Sequence, residues 1–505
     1  MKNYDVIIIG AGLAGIFAAW ELSSQRPDLK IAILEQGMPI ERRFCPIVGG
    51  KSKGCVHCPT CAIMRGFGGA GAFSDGKFNF TTEFGGWLTD YLPDEKVMSL
   101  IEEVDAVNRS LGATQEIHST FTPEADAIRR RALGCDIHLL NARCKHLGTD
   151  KNRDVLIRMY QELKERVDLF CETEVKSIVP LLNGKPVCGA GEPQKNVKAS
   201  EDLRQSDAEQ EQAVRTGSRH MRPAPEQYLL ESERGDFRCS RLIAAPGRAG
   251  ADWFSEQCRK LGLTLINNQV DLGVRVELPA LIFKDITDAM YEAKLKYQTK
   301  RYGDIVRTFC MNPYGYVVAE NTDGIITVNG HSYEDPALRS QNTNFALLVS
   351  NRFTEPFNEP TAYGRRIASL SNMLGGGVLV QRLGDLRNGR RTTSHRMLKS
   401  FVQPTLSATP GDLSLVLPKR HLDNIIEMLE VLDKLAPGTA NADTLLYGVE
   451  VKFYSARLNL SSDFETEFPG FYAVGDGAGI TRGLSQAGAS GIHAARAALK
   501  SLEER

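Results

Sequence analysis

Apolar residues along this chain follow two rhythms, and the change between them divides the sequence. Near the start they form unbroken β-branched runs, Val6 to Ile9 and Ile31 to Leu34. Runs without polar interruption suit parallel strands buried on both faces. Ile16 to Leu22, between them, reads as a helix. Pro93 opens a second helical pattern to about Ser110, with Val97, Leu100, Ile101 and Val104 on one face. From Val270 the period becomes two. Val270, Leu272, Val274 and Val276 alternate with Asp271, Gly273, Arg275 and Glu277, which predicts a half-buried strand. Short strands follow at Ile305 to Phe309, Tyr316 to Ala319 and Ile325 to Val328. Turn tetrads separate them, Asn312-Pro-Tyr-Gly315 and Asn321-Thr-Asp-Gly324. That pattern predicts an antiparallel meander, backed by helices at about 361–374 and 421–435. Residues 185–235 are polar and charged, and predict a mobile insertion or an extended hairpin tip.

Glycines then give the first strand a chemical meaning. Gly10, Gly12 and Gly15 follow Val6 to Ile9 at the spacing of a dinucleotide fingerprint, with Leu13 and Ala14 between them. The first allows a tight turn, the second lets backbone approach a pyrophosphate, and the third lets the helix pack on its strand. Amides at the start of that helix face the phosphates. Glu35, followed by Gln36, ends the next strand about 20 residues on, where a carboxylate accepts ribose hydroxyls. No second full fingerprint occurs, so a separate NAD(P)H domain is not indicated.

Near the other end, Phe471-Tyr-Ala-Val-Gly475-Asp476 is an apolar strand closing on glycine and aspartate. It leads into a small-residue segment with Gly483, Leu484 and Ala487, and then a helical run to Arg496. Paired with the N-terminal fingerprint, this resembles the two-dinucleotide-fold flavoproteins of the glutathione-reductase and succinate-dehydrogenase type. The resemblance implies bound FAD, with Asp476 on the ribityl chain and the following helix aimed at the flavin pyrimidine. Two further segments match such proteins. Arg241-Leu-Ile-Ala-Ala245-Pro-Gly247 resembles the crossing toward the substrate domain, with Pro246 where Thr is usual. Val167 to Val179, which includes Val175, resembles the strand that covers the adenine.

A narrower likeness runs through nearly the whole chain outside about 185–235. Cys45-Pro46, the run Gly54 to Cys61, Gly68 to Lys77, Asn312 to Tyr316, Val328 to His331, Asn342 to Phe345 and Gly448 to Lys452 are similar to a group of uncharacterised bacterial FAD-dependent dehydrogenases. The expected fold is α/β. A Rossmann-like FAD-binding domain, three-layered around a parallel central sheet, comprises residues 1–268 and 455–505. An inserted α+β substrate or cap domain on an antiparallel sheet occupies 269–454.

Bulk properties narrow the classes. The chain has 505 residues, 42% hydrophobic and 24% charged, with 61 basic against 62 acidic side chains. That balance favours neither nucleic acid nor an anionic membrane. No stretch of about 18 apolar residues occurs. The first core strand begins within five residues of Met1, which leaves no room for a signal peptide. Eleven cysteines without an export signal suggest a reducing compartment, so the expected location is cytoplasmic. The oligomeric state is left open.

Candidate chemistry gathers in three places. Cys45, Cys55, Cys58 and Cys61 have spacing able to satisfy zinc or an iron–sulfur cluster. A flavin-linked dithiol and structural free thiols are equally open readings. Gly66 to Gly76 holds five glycines in eleven positions, which lets main-chain amides reach a ligand. Gly68, Gly69, Ala70 and Ser74 are expected there against the cofactor, with Lys77 beside them. In the cap, His331, Glu450 and Lys452 are the candidate catalytic residues, with Arg307, Asn312 and Asn344 as polar neighbours. Val449 to Phe453 alternates, placing Glu450 and Lys452 on one face, either over the cofactor or as a solvated ion pair. The basic stretch Arg382 to Lys399 reads as a solvated loop, or as a receiver of an anionic substrate or of NAD(P)H phosphates.

These features predict an FAD-dependent oxidoreductase, a dehydrogenase or reductase moving a hydride between flavin and an unidentified small molecule. The alternatives are a flavin monooxygenase using NAD(P)H and oxygen, an electron carrier relaying through the cysteines, and a flavin-assisted RNA modifier, which the near-neutral charge disfavours.

Overall fold

Five parallel strands build the first unit, in the order Asp168–Phe170, Ile31–Leu34, Lys2–Ile9, Phe237–Ala244 and Phe471–Ala473. The computed structural model describes residues 1–46, 51, 56, 58–74, 76–187, 221–266, 268–290, 293–322, 324–333, 335–351, 353 and 359–504. Val6 to Ile9 and Ile31–Leu34 are buried throughout, as expected of apolar runs in a parallel sheet. Phe237–Ala244 divides its outer edge. Its end pairs with Phe471–Ala473, while its start pairs antiparallel with Gln227–Ser232, which in turn pairs with Val175–Leu182.

The first helix, Leu13–Gln25, packs along the last, Leu484–Glu503, and Asp94–Ser110 packs on the last helix in turn. Small residues make that closeness possible. A Cβ on Gly488 would stand 2.8 Å from the Val104 side chain and 3.0 Å from Phe17. The expected face of Asp94–Ser110 is indeed its buried one, comprising Val97, Leu100, Ile101 and Val104.

A second, eight-stranded sheet runs Thr409–Pro410, Leu379–Arg382, Leu445–Lys452, Val270–Pro279, Asn342–Asn351, Ile305–Asn312, Leu295–Gln298, Ile137–Leu139. It is antiparallel except at its first pair. Helices Pro360–Gly375 and Lys419–Leu435 stand close to the ranges expected from the sequence. The fold is therefore α/β, a Rossmann-like unit joined to a separate antiparallel-sheet unit.

The structure departs from the sequence reading at five places. Val167 to Val179 is not one strand: Asp168–Phe170 and Val175–Leu182 lie in different parts of the sheet, broken at Glu172, whose φ is 53°. Gln227–Ser232 is an ordinary sheet strand with Tyr228 and Leu230 buried, not part of a polar excursion. Residues 188–220 of that stretch lie outside those described. Val270–Pro279 is buried on both faces rather than one. The meander is broken too, because Tyr316–Thr322 and Ile325–His331 leave the sheet as a separate hairpin. Val317 and Val328 of that hairpin pack with Val378, Val380, Val402 and Tyr447, so it lies over the polar side of the sheet. Lastly, Pro123–Leu133 and Ile137–Leu139 join the second core although they lie among the first unit's residues in sequence.

Candidate active site

Glycine-bearing loops from across the chain converge where the two units meet. Gly10, with φ of 95°, turns the chain beneath Ala245, and a Cβ there would stand 2.2 Å from the Ala245 carbonyl oxygen. The Ala245 amide donates to Ile9 O at 2.8 Å, so the turn through Gly247 closes one side. Gly68 donates to Ala11 O at 2.8 Å, drawing the glycine-rich loop across the first turn. Gly69–Phe73 forms a short 3-10 turn containing Ala70, closed by Ser74 Oγ on the Gly71 carbonyl at 2.7 Å. Gly71 faces the side chains of Leu484 and Leu13. Opposite, the amides of Arg482 and Gly483 both donate to Gly85 O at 2.9 Å.

Two helix N-termini open onto this junction. Gly12 precedes the first helix and Gly483 the last, and neither start has a side-chain cap. Their first amides therefore lack side-chain partners and remain suited to an anion. Gly15 lies within the first turn against the Gly10 carbonyl, and Ala14 sits beneath the last helix. Around Gly12 no atom lies within 4 Å of the position a Cβ would take. Space there is open.

Asp476 follows Gly475 at the end of Phe471–Ala473 and accepts from Thr481 Oγ1 at 2.7 Å. Burial raises its carboxyl above the usual carboxylate range, opposed chiefly by Arg248, 3.7 Å away. The Gly475 amide donates to Ser490 Oγ at 3.2 Å. Ala487 continues the last helix with its amide on Gly483 O at 2.9 Å. Ser485 Oγ, in the same first turn, is buried without a partner.

Glu35 has more to hold than the sequence indicated. Oε1 accepts the amides of Gly37 at 2.7 Å and Gly66 at 2.9 Å, and Oε2 accepts Ala11 N at 2.8 Å. It staples the glycine-rich loop to the first turn, with Oε2 retaining a lone pair toward the junction. Gln36 donates to Glu174 at 2.9 Å, and Val175 opens its strand two residues beyond Thr173, whose amide bonds to Glu35 O. Arg43, which pattern reading missed, is buried. It donates to the carbonyls of Ala62, Ile63 and Phe67, and burial lowers its basicity to about 10.

Across the junction stands the polar face of the second sheet. Arg275 and Glu450 are both fully buried and paired at 3.1 Å. Arg275 also donates to Asn344 Oδ1 at 2.8 Å and to the carbonyl of Cys310 at 2.5 Å. Cys310 itself has φ of 41°, at a bulge in its strand. Lys452 closes on Glu450 at 2.9 Å with 14% of its side chain exposed. Burial alone would lower its pKa, but Glu450, Cys310 and Glu320 outweigh this and raise it. Glu450 and Lys452 do share a face, but the pair is neither cross-strand nor solvated.

Asp271, also fully buried, accepts from Tyr454 and from Arg307 at 2.9 Å. Arg482 stacks on Tyr454 at 3.7 Å, and so ties the cap to the Asp476 loop. His331 ends its hairpin in an aromatic trio with Tyr316 and Tyr333, 6.4 and 4.4 Å between ring centres. Asn312 donates to the Cys310 carbonyl at 2.6 Å. Asp271, Arg275 and Tyr454 were missed in the sequence. Alternation marks Asp271 and Arg275 as sharing a face, but only the sheet pairing shows that this face is covered.

Two candidate groups are not assembled as expected. Cys45, Cys58 and Cys61 are free thiols, and among the described residues no three metal-binding side chains gather. Cys55 lies outside the described residues. The basic stretch is not an open loop: Arg382, Arg390 and Arg396 converge on the buried Asp385, which also accepts Thr392 Oγ1 at 2.9 Å. Its charges are largely spent within the fold.

Comparison with known proteins adds the following. Residues 270–453 match a family described as "FAD-dependent protein, C-terminal domain-like". A stretch of 34 residues is 59% identical to thiamine thiazole synthase of Coprinopsis cinerea, covering 7% of this chain and 11% of that protein. A 31-residue stretch is 64% identical to the Candida albicans enzyme, covering 6% of this chain and 9% of that one. The chain thus spans about a tenth of the length of the curated relatives it matches. Among solved structures, L-proline dehydrogenase from P. horikoshii aligns at 10% identity and a TM-score of 0.38, over 99% of this chain and 94% of that one. Glycine oxidase from Geobacillus kaustophilus aligns at 12% identity and 0.31, over 99% and 93%. E. coli quinol fumarate reductase aligns at 13% and 0.38, over 100% and 71%. No helix among the described residues is long and apolar enough to cross a membrane.

Proposed function

We propose that this protein binds FAD at the junction and acts as an FAD-dependent oxidoreductase on a small molecule held under the cap. The carrying observation is the open space at Gly12, at the uncapped start of the first helix, with the uncapped start of the last helix brought near by the approach of both Leu13 and Leu484 to Gly71. The match of residues 270–453 to a domain of FAD-dependent proteins supports the same reading.

In this reading the backbone at Gly10 to Gly15 and Gly68 to Ala70 holds the diphosphate, Glu35 Oε2 and Val175 face the adenosine end, and Asp476 holds the ribityl chain. The orphaned Ser485 hydroxyl and the first amides of the last helix complete the set. Bound FAD supplies a two-electron acceptor or donor. The chain's own residues supply the rest. Trp87, Tyr454 and Arg482 wall the cleft and exclude water. Lys452 keeps its proton because Glu450 lies against it. Glu450 is pinned by Arg275, so it orients Lys452 instead of exchanging protons itself. His331, at the end of the hairpin, remains a second candidate for proton handling.

The test is purification with ample riboflavin, followed by the visible spectrum and anaerobic photoreduction. A yellow protein that a metabolite panel reoxidises supports the oxidoreductase. A colourless one overturns the reading. Oxygen-dependent substrate hydroxylation with NAD(P)H would move it to the monooxygenase class.

A further inference from the structure

On the polar face of the second sheet two cations, Arg307 and Lys452, stand outward of the carboxylates that hold them, while Arg275 is buried with its partner. Arg307 is 24% and Lys452 14% exposed, whereas Asp271 and Glu450 are wholly buried. Register explains the arrangement. Asp271 pairs with Lys452 on one neighbouring strand and with Ser350 on the other, so all three point the same way. The Arg307 guanidinium lies across them, donating to Asp271 at 2.9 Å and to Ser350 Oγ at 3.2 Å. Its Nε is buried with no partner. Here the fold sinks the anion and presents the cation.

An apolar wall adjoins the two cations. The Phe309 ring lies 4.9 Å from the Arg307 guanidinium and 5.4 Å from Lys294 Nζ. Lys294 also stands 5.5 Å from the Phe84 ring, and both line a small cavity with Asn79, His118, Thr120 and Met290. The cavity and Arg307 therefore flank the same aromatic ring.

We propose that the substrate is a small organic acid whose carboxylate docks on Arg307 and Lys452, with its apolar body against Phe309 and Phe84. This rests on the reading of the cleft as an FAD-dependent active site. A guanidinium fork suits a carboxylate. Both heads are already immobilised by buried partners, so little side-chain freedom is lost on binding.

The experiment has two stages. The spectrum of the purified protein comes first, and absence of flavin overturns the parent reading and this proposal with it, whereas failure at the second stage overturns this proposal alone. On yellow protein, the flavin band is followed while acetate, benzoate and phenylacetate are added, each beside its amide. Saturable changes with at least one carboxylate and weaker or absent changes with its amide are expected. In Arg307→Met and in Lys452→Met the dissociation constant of that carboxylate rises about tenfold or more, about 1.4 kcal/mol, with flavin content unchanged. The proposal is overturned if no carboxylate perturbs the band, if the amides bind equally well, or if both variants bind the carboxylate as the parent protein does. Comparing acid with amide on the unaltered protein keeps the test decisive should a variant fail to fold.

Discussion

Gly491 of the last helix lies so close to Ala14 of the first that a Cβ on it would stand 2.0 Å from the Ala14 carbonyl oxygen. The two ends of the chain are thereby locked together beneath the nucleotide loops. Gly491→Val has no backbone freedom to relieve this clash, and we expect overpacking to cost about 1–3 kcal/mol or more, with flavin lost as a consequence. A Cβ on Gly12 meets nothing within 4 Å, so Gly12→Val has room that Gly491→Val lacks. It should purify colourless yet melt like the flavin-free parent. Thermal melts beside flavin absorbance separate the two, and a Gly12→Val protein that retains full flavin content contradicts the assigned diphosphate position.

Asp476 is a largely desolvated carboxylate, and among the described residues its charged neighbour within salt-bridge range is Arg248. Asp476→Asn removes a largely buried charge while keeping the shape and the Thr481 contact. The protein without cofactor should be no less stable, and its FAD affinity should fall about tenfold or more, since a charge-assisted acceptor is lost. Equilibrium dialysis against FAD reads this directly. Unchanged affinity would remove Asp476 from the site.

Arg275 neutralises Glu450 where water does not reach. Arg275→Met takes two hydrogen bonds from that carboxylate and leaves Lys452 as its remaining cation, and the expected loss is about 1–3 kcal/mol in chemical denaturation. The loss should be smaller when Glu450→Gln is already present, a coupling that a double-mutant cycle measures. Additive losses would mean that the pair does not interact.

His421 is buried with neither ring nitrogen hydrogen-bonded, and burial lowers its pKa from 6.5 to about 4, opposed in part by Asp304 and reinforced by Arg420. The folded protein keeps this ring neutral while the unfolded chain protonates it. Its contribution is therefore fully present above pH 6.5 and is lost as pH falls toward about 4. The span corresponds to about 3 kcal/mol. His421→Phe should flatten the stability profile across that window, and an unchanged slope would assign it to other groups.

Local rules carried the sequence reading a long way. Strand-turn-helix at Val6 to Leu22, the strand closing on Gly475 and Asp476, and the helix face of Val97 to Val104 were legible because each depends on residues within one or two turns of one another. Glu35 directly follows its strand, as the sequence indicates, yet one of its acceptor bonds goes to Gly66 across a loop, which no local pattern announces.

What only the tertiary structure decided is which polar positions are dry. Alternation in Val270 to Glu277 looks the same whether the second face meets water or another layer. The layer here is a hairpin some 40 to 60 residues later in the chain, placed by Val317 and Val328 packing on Val380 and Tyr447. The pairing of Ile137–Leu139 with Leu295–Gln298 is equally silent in sequence. Period and turn chemistry act between near neighbours and are written in the residues themselves. Burial of a charge depends on what the rest of the chain brings over it, and so Asp271, Arg275 and Glu450 became a site only when the sheet was covered.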